Sequence, residues 1–162
     1  MKLLKCHCGA IEAEINTPDN IEKILRCNCS LCKRKGTVMS MVKNEDFKII
    51  KGIDKIKLYQ FHTKVAKHYF CSICKRKSAI MSMVKNEDFK IIKGEEKLTL
   101  YQFHSKVAKH YFCSQCGIYT HHNPRSNPAM TGFNLGCVDE IDTFRLDDIS
   151  INDGKNHPLD KK

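Results

Sequence analysis

Residues 39–52 read MSMVKNEDFKIIKG, and residues 81–94 repeat the same fourteen letters. Each run offers a strand at 39–42 (81–84), an Asn-Glu-Asp turn, and a second strand at 47–51 (89–93) that ends at Lys-Gly. The chain then continues into LYQFH and KVAKHYFCS, which supply strands at 57–61 (99–103) and 65–70 (107–112). Short, turn-separated runs rich in β-branched and aromatic residues favour an antiparallel sheet. Upstream, Ile11, Ala13 and Ile15 alternate with Glu12 and Glu14, the period of a strand with one buried face. Beyond Gly117, the residues Pro124, Asn127, Pro128 and Gly132 mark loops. The fold expected is mainly β.

The repetition is wider than those fourteen letters. Residues 33–74 and 75–116 align without a gap, with 33 of 42 positions identical. Two units are too few for a stacked solenoid. Cys29-Ser30-Leu31-Cys32, Cys71-Ser72-Ile73-Cys74 and Cys113-Ser114-Gln115-Cys116 all read C-S-x-C at the same 42-residue interval. The middle motif is a hybrid, entered through His68-Tyr69-Phe70 like the third and left through Lys75-Arg76-Lys77 like the first. Slippage between two such motifs of a 120-residue ancestor produces this arrangement. The organisation expected is one domain over 1–162 with internal repeats 33–74 and 75–116, and a weakly ordered tail at 151–162.

The ten cysteines fall as Cys6-x-Cys8, Cys27-x-Cys29-x-x-Cys32, the pairs Cys71/Cys74 and Cys113/Cys116, and a lone Cys137. Such spacings let thiolates converge on one tetrahedral cation. Met1 to Lys5 runs into Cys6 with no apolar stretch of signal-peptide length. No segment reaches the roughly 20 apolar residues that span a bilayer. A cytoplasmic setting is expected, where clustered cysteines bind metal more often than they pair. The formal charge of +10 resembles a nucleic-acid signal. Deprotonated ligand cysteines would reduce it to about +7. Residues 33–74 alone carry ten Lys or Arg against three acids, so one copy fewer would leave +3. Solvated lysines are favoured over a nucleic-acid surface.

The motifs Cys6-His7-Cys8-Gly9-Ala10, Cys27-Asn28-Cys29-Ser30-Leu31-Cys32 and Tyr111-Phe112-Cys113-Ser114-Gln115-Cys116-Gly117 occur in that order. With the tail Arg125-Ser126-Asn127-Pro128 and Asn134-Leu135-Gly136-Cys137, the chain resembles the glutathione-dependent formaldehyde-activating family over its whole length, apart from one surplus copy. The resemblance implies a zinc-containing β-tent of antiparallel strands, here with an extra duplicated segment, and two zinc ions. It implies a structural zinc on Cys6, Cys8, Cys113 and Cys116, whose four thiolates leave no position for substrate. It also implies a catalytic zinc on Cys27, Cys29 and Cys32, whose fourth position is open to water or a thiol. Read from the residues alone, those three could equally form a closed site completed by Cys137 or a histidine. Cys71 and Cys74 are the surplus pair. They lack both the Cys-Asn before Cys29 and the glycine after Cys116, so an idle reduced pair is expected, with competition for the structural metal, or a further ion held with His68 or a second chain, as the alternatives.

The leading functional expectation is an enzyme, a carbon–sulfur lyase resembling S-(hydroxymethyl)glutathione synthase. Its partners would be a small thiol such as glutathione and an aldehyde, with a basic rim at Lys33, Arg34 and Lys35 drawing the anionic thiol. The alternative is a non-catalytic zinc module that binds a protein or nucleic acid through its basic face. No membrane partner is expected, and the unpaired surplus strands leave room for a homodimer. His121 and His122 adjoin on a strand, so they point to opposite faces and make a poor metal pair. His62 and His104 are expected on a sheet face, Cys137 as a small buried hydrophobe, and Arg125 and Asn134 as loop anchors or substrate contacts.

Overall fold

A computed structural model describes residues 1–21, 24–75 and 79–151. Of the tail expected to be weakly ordered, all but Ile151 lies outside these residues, as do Arg76 and Lys77. The structure is mainly β, with strands β1 (Lys2–Lys5), β2 (Glu12–Ile15) and β3 (Leu25–Arg26) leading to helix α1 (Ser30–Lys35). The first copy supplies β4 (Val38–Met39), β5 (Phe47–Lys51), β6 (Ile56–Tyr59) and β7 (His68–Cys71). The second supplies β8 (Met81–Lys85), β9 (Leu98–Tyr101) and β10 (Lys109–Cys113), followed by β11 (Tyr119–Asn123) and β12 (Met130–Asn134). The antiparallel sheets are ordered β1-β2-β5 and β8-β12-β11-β10-β9, with the two-stranded pairs β3-β4 and β6-β7 beside them. Among the described residues, no helix is long and apolar enough to cross a membrane.

The two copies take different places. In the first, β5 lies on β2 with Ala13 opposite Ile49 and Ile15 opposite Phe47. Its counterpart at 89–93, identical in sequence, forms no ladder among the described residues, and Ile92 there is 93% exposed. In the second copy, β8 pairs with β12 over five residues, from Met81 opposite Asn134 to Lys85 opposite Met130. Its counterpart in the first copy keeps only the two residues of β4, paired to β3. Each copy thus fills one of two seats, β2 or β12, that a single copy would fill alone.

Chain connectivity explains which copy takes which seat. Pairing 47–51 rather than 89–93 with β2 closes a loop less than half as long, worth about 0.7 kcal/mol. The same preference for short loops puts the second copy on β12.

The closing hairpins of the two copies are alike. Ile56 faces Cys71 and Leu98 faces Cys113 at the same offset, and the Ser72 and Ser114 N–H groups each donate at 2.8 Å, to the Lys55 and Lys97 carbonyls. Only β10 goes on to pair with β11. The buried core is small, built on Ile11, Ala13, Leu31, Phe112, Ile118 and Tyr119.

Two expectations change, and a third holds. Gly132 is no loop residue but lies within β12, where a Cβ would come within 2.1 Å of the His122 ring. The glycine is there for close approach, a signal that reads in sequence as a turn. His62 and His104 leave the sheet faces for the loops after β6 and β9, exposed and with φ of 52° and 54°. His121 and His122 do diverge: His121 stacks on Tyr111 at 4.5 Å, and His122 on His110 at 5.8 Å.

Candidate metal centres and the cleft between them

The turn from β1 to β2 is a tight knuckle. Gly9 N–H donates to the Cys6 carbonyl at 3.2 Å, and Ile11 N–H donates to the Cys6 sulfur at 3.2 Å. A second knuckle follows β7, where Lys75 N–H donates to the Cys71 carbonyl at 3.2 Å. The two knuckles face each other, and Cys6, Cys8, Cys71 and Cys74 bring their sulfurs within 4.8 Å of one another. Cys6 and Cys8 sulfurs are 3.5 Å apart, and those of Cys8 and Cys71 3.7 Å. A tetrahedral zinc with Zn–S bonds of about 2.3 Å has S···S edges of about 3.8 Å, so the donor set fits that ion.

Cys113 and Cys116, expected opposite Cys6 and Cys8, are not in this group, and the supposedly idle Cys71 and Cys74 are. Two local effects compete. Lys75 takes φ 47° at the knuckle's end, where Gly117 takes φ 73° in the other copy. That left-handed geometry costs a lysine about 1–2 kcal/mol and a glycine almost nothing. Against it, β5 on β2 ends beside Cys6-x-Cys8. The Lys51 ammonium bonds the Gly9 carbonyl at 2.9 Å, and Gly52 lies so close to Ala10 that a Cβ would meet its carbonyl oxygen at 1.9 Å. The β6–β7 hairpin follows at once and delivers Cys71 and Cys74. Packing of the preceding strand overrides turn chemistry.

The second cluster is Cys27, Cys29 and Cys32, again within 4.8 Å, and no fourth His, Cys, Asp or Glu ligand atom joins it among the described residues. Cys29 caps α1, its sulfur accepting the Cys32 N–H at 3.5 Å. The three-residue step from Cys29 to Cys32 turns both sulfurs to one side of the helix. Lys33, Arg34 and Lys35 fill the last turn, where cations suit the helix dipole. Cys137 stands apart. Its sulfur is 3.9 Å from the Tyr119 carbonyl, and burial pushes the thiol up to about 11.

Electrostatics within the clusters shows what a cation would do. Burial opposes the Cys6 thiolate, but the Ile11 N–H and the neighbouring thiols outweigh it and lower the pKa to about 7. Burial and the same neighbours push Cys8 up to about 12. In the other cluster, the Cys32 N–H lowers Cys29, while burial and the adjacent Cys29 push Cys32 up to about 12. In each group one thiol ionises readily and then resists ionisation of the next. A bound divalent ion removes that conflict.

An apolar cleft of about 970 Å³ opens between the clusters, reaching Cys6 and Cys71 on one side and Cys32 on the other. Phe47, Ile49 and Leu58 of the first copy wall it, and Arg34, Lys35, Lys67 and Lys75 add positive charge. Lys67 and Lys75 were not singled out from the sequence. Nothing distinguishes them among 28 basic residues until the fold gathers them.

Asn134 is an anchor. At 2% exposure it donates to the Arg34 and Tyr119 carbonyls, both at 2.8 Å, and accepts the Gly136 N–H at 2.9 Å. These bonds tie β12 to α1, and an Arg34–Asp139 ion pair at 2.6 Å adds to the same junction. Asn134→Ala leaves one buried and one partly buried carbonyl without that donor and is expected to cost about 2–3 kcal/mol. A urea midpoint shifted by less than the measurement error would contradict the anchoring role.

A sequence profile described as glutathione-dependent formaldehyde-activating enzyme matches the chain twice, over residues 2–81 and 75–149. The chain is also similar to a Rhodobacter sphaeroides protein of known crystal structure. The two are 28% identical, the alignment covers 91% of this chain and 97% of that one, and the TM-score is 0.34.

Proposed function

The chain belongs to the glutathione-dependent formaldehyde-activating enzyme family, and on that premise we propose that it catalyses carbon–sulfur bond formation between glutathione and formaldehyde beside Cys27, Cys29 and Cys32. The observation that carries the reading is the convergence of these three sulfurs, with no fourth ligand among the described residues, and with Cys32 reaching the wall of the cleft. The three cysteines would hold a zinc ion, whose Lewis acidity keeps a thiol ionised near neutral pH. Cys6, Cys8, Cys71 and Cys74 would hold a second ion as a closed structural centre.

The chain's own residues have three tasks. Arg34, Lys35 and Lys67 attract the carboxylates of glutathione and hold its thiol towards the cluster. The apolar wall of Phe47, Ile49 and Leu58 limits water around the reacting carbon. Asn134 fixes α1, and with it the spacing of Cys29 and Cys32. The product is S-hydroxymethylglutathione, formed as the thiolate attacks the aldehyde carbon and the oxygen takes a proton.

The test follows the uptake of ¹³C-labelled formaldehyde by glutathione with zinc-loaded, full-length protein. The wild type is expected to exceed the spontaneous rate. Cys29→Ser is expected to lose about 100-fold in rate and one zinc, while keeping its circular dichroism spectrum. No acceleration by the wild type would leave the non-catalytic zinc module as the reading.

A further inference from the structure

The reaction proposed above gives no role to the knuckle after β10. Gly117 N–H donates to the Cys113 carbonyl at 3.0 Å and Cys113 N–H to the Ile118 carbonyl at 2.9 Å, so the backbone of the turn is fixed. It shares with the Cys71–Cys74 knuckle the N–H bond back to the first cysteine's carbonyl, yet its two sulfurs belong to neither converged cluster among the described residues. Both cysteines are partly exposed and neither forms a disulfide. A C-x-x-C pair held in a tight turn, with no third ligand atom converging on it among the described residues, has the arrangement of a dithiol.

Its surroundings favour a reactive sulfur at Cys113. Burial opposes ionisation there, but the N–H groups of Cys116 and Gln115 and the Lys75 ammonium leave its pKa lowered. Burial and the adjacent Cys113 raise Cys116. Lys75 lies over the Phe112 ring at 6.0 Å, and Lys35 over Phe70 at 5.7 Å, whose ring packs against Gly117. The two cations flank the knuckle and suit an anionic reaction partner. Cys137 belongs to no converged group, and burial, with a smaller contribution from Cys116, raises its thiol.

We propose that Cys113 and Cys116 form a redox-active dithiol that reduces anionic low-molecular-weight disulfides of the glutathione type. Cys113 Sγ attacks one sulfur of the disulfide, forming a mixed disulfide and expelling one thiolate. Cys116 Sγ then attacks Cys113 Sγ, closing the Cys113–Cys116 bond and releasing the second thiolate. The dithiol loses two electrons and two protons, and one disulfide becomes two thiols. This chemistry does not depend on the formaldehyde reaction. It follows from the duplication, which lets Cys71 and Cys74 take the seat opposite Cys6 and Cys8.

The experiment incubates zinc-loaded, full-length protein with millimolar glutathione disulfide, quenches with N-ethylmaleimide, and reads peptide masses and retained zinc. Expected is a loss of two hydrogens confined to the peptide holding Cys113 and Cys116, with no loss of zinc. In Cys116→Ser a glutathione adduct is expected to accumulate on Cys113. The proposal is overturned if both cysteines remain alkylatable. It is equally overturned if their oxidation releases zinc, or if Cys71 and Cys74 oxidise to the same extent. Failure of the formaldehyde assay alone would leave it standing.

Discussion

Serine at both Cys71 and Cys74 is expected to remove one zinc ion and most of the cooperative unfolding transition, whereas serine at both Cys113 and Cys116 is expected to leave the zinc content unchanged. Cys71 and Cys74 supply half of the four-sulfur cluster, and both are buried. A structural zinc site contributes about 10–16 kcal/mol in small metal-dependent domains. Whole domains are stable by only about 5–15 kcal/mol. Loss of this centre therefore exceeds what so small a buried core can replace. Cys113 and Cys116 join neither cluster, so their loss removes no ligand. Zinc counting by a chromogenic chelator and thermal melts of the two double variants decide the matter. The reverse pattern, zinc lost only with Cys113 and Cys116, would restore the pairing implied by family resemblance and refute the one described.

Much of this was legible in the chain, because alternation and cysteine spacing are local. β2 followed from Ile11, Ala13 and Ile15, and the three-sulfur cluster from Cys27-x-Cys29-x-x-Cys32, whose members lie within one turn and a cap. Family resemblance implied a four-sulfur site on Cys6, Cys8, Cys113 and Cys116, whereas the sulfurs that converge are those of Cys6, Cys8, Cys71 and Cys74. The difference is instructive because Gly117 marks the less strained turn, with a glycine rather than a lysine at positive φ. What decided the site was the position of β5, and no local feature separates FKIIK at 47–51 from FKIIK at 89–93. Two identical strands cannot both lie on β2. Sequence fixes what each prefers, but seat and loop length settle which is placed. The cleft cations escaped notice for the same reason, since Lys67 and Lys75 acquire meaning only beside Arg34 and Lys35.

The duplication explains the cleft as well as the swap. Phe47 and Ile49 line the cleft, while Phe89 packs against His121 at 4.8 Å. Their copies thus line two different regions rather than one shared core. Ile92, Val65 and Met41 remain largely exposed, at 93%, 80% and 76%. Apolar surface of this kind is what a duplicated strand leaves when only one seat exists.

Deleting residues 75–116 is therefore expected to give a 120-residue chain that is more stable than the present one and retains both zinc sites. In that chain Cys74 is followed directly by Gly117, so the left-handed turn residue becomes glycine and the strain at Lys75 disappears. The remaining MSMVK at 39–43 is free to take the β12 edge that β8 occupies, as the sequences are identical. FKIIK at 47–51 keeps its place on β2, and His68–Cys71 can pair with β11 as Lys109–Cys113 does. Every seat is then filled once, and no FKIIK segment is left without a ladder. Relief of the turn alone is worth about 1 kcal/mol, or roughly 3–6 °C in Tm for a chain of this size. The deletion also removes Cys113 and Cys116, so disulfide exchange should vanish while zinc content stays the same. A differential scan, a zinc count and the glutathione disulfide assay on one sample test all three consequences. A deletion chain that melts lower or loses a zinc would mean that β5–β7 and β8–β10 are each indispensable where they stand, and that one copy cannot span both β2 and β12.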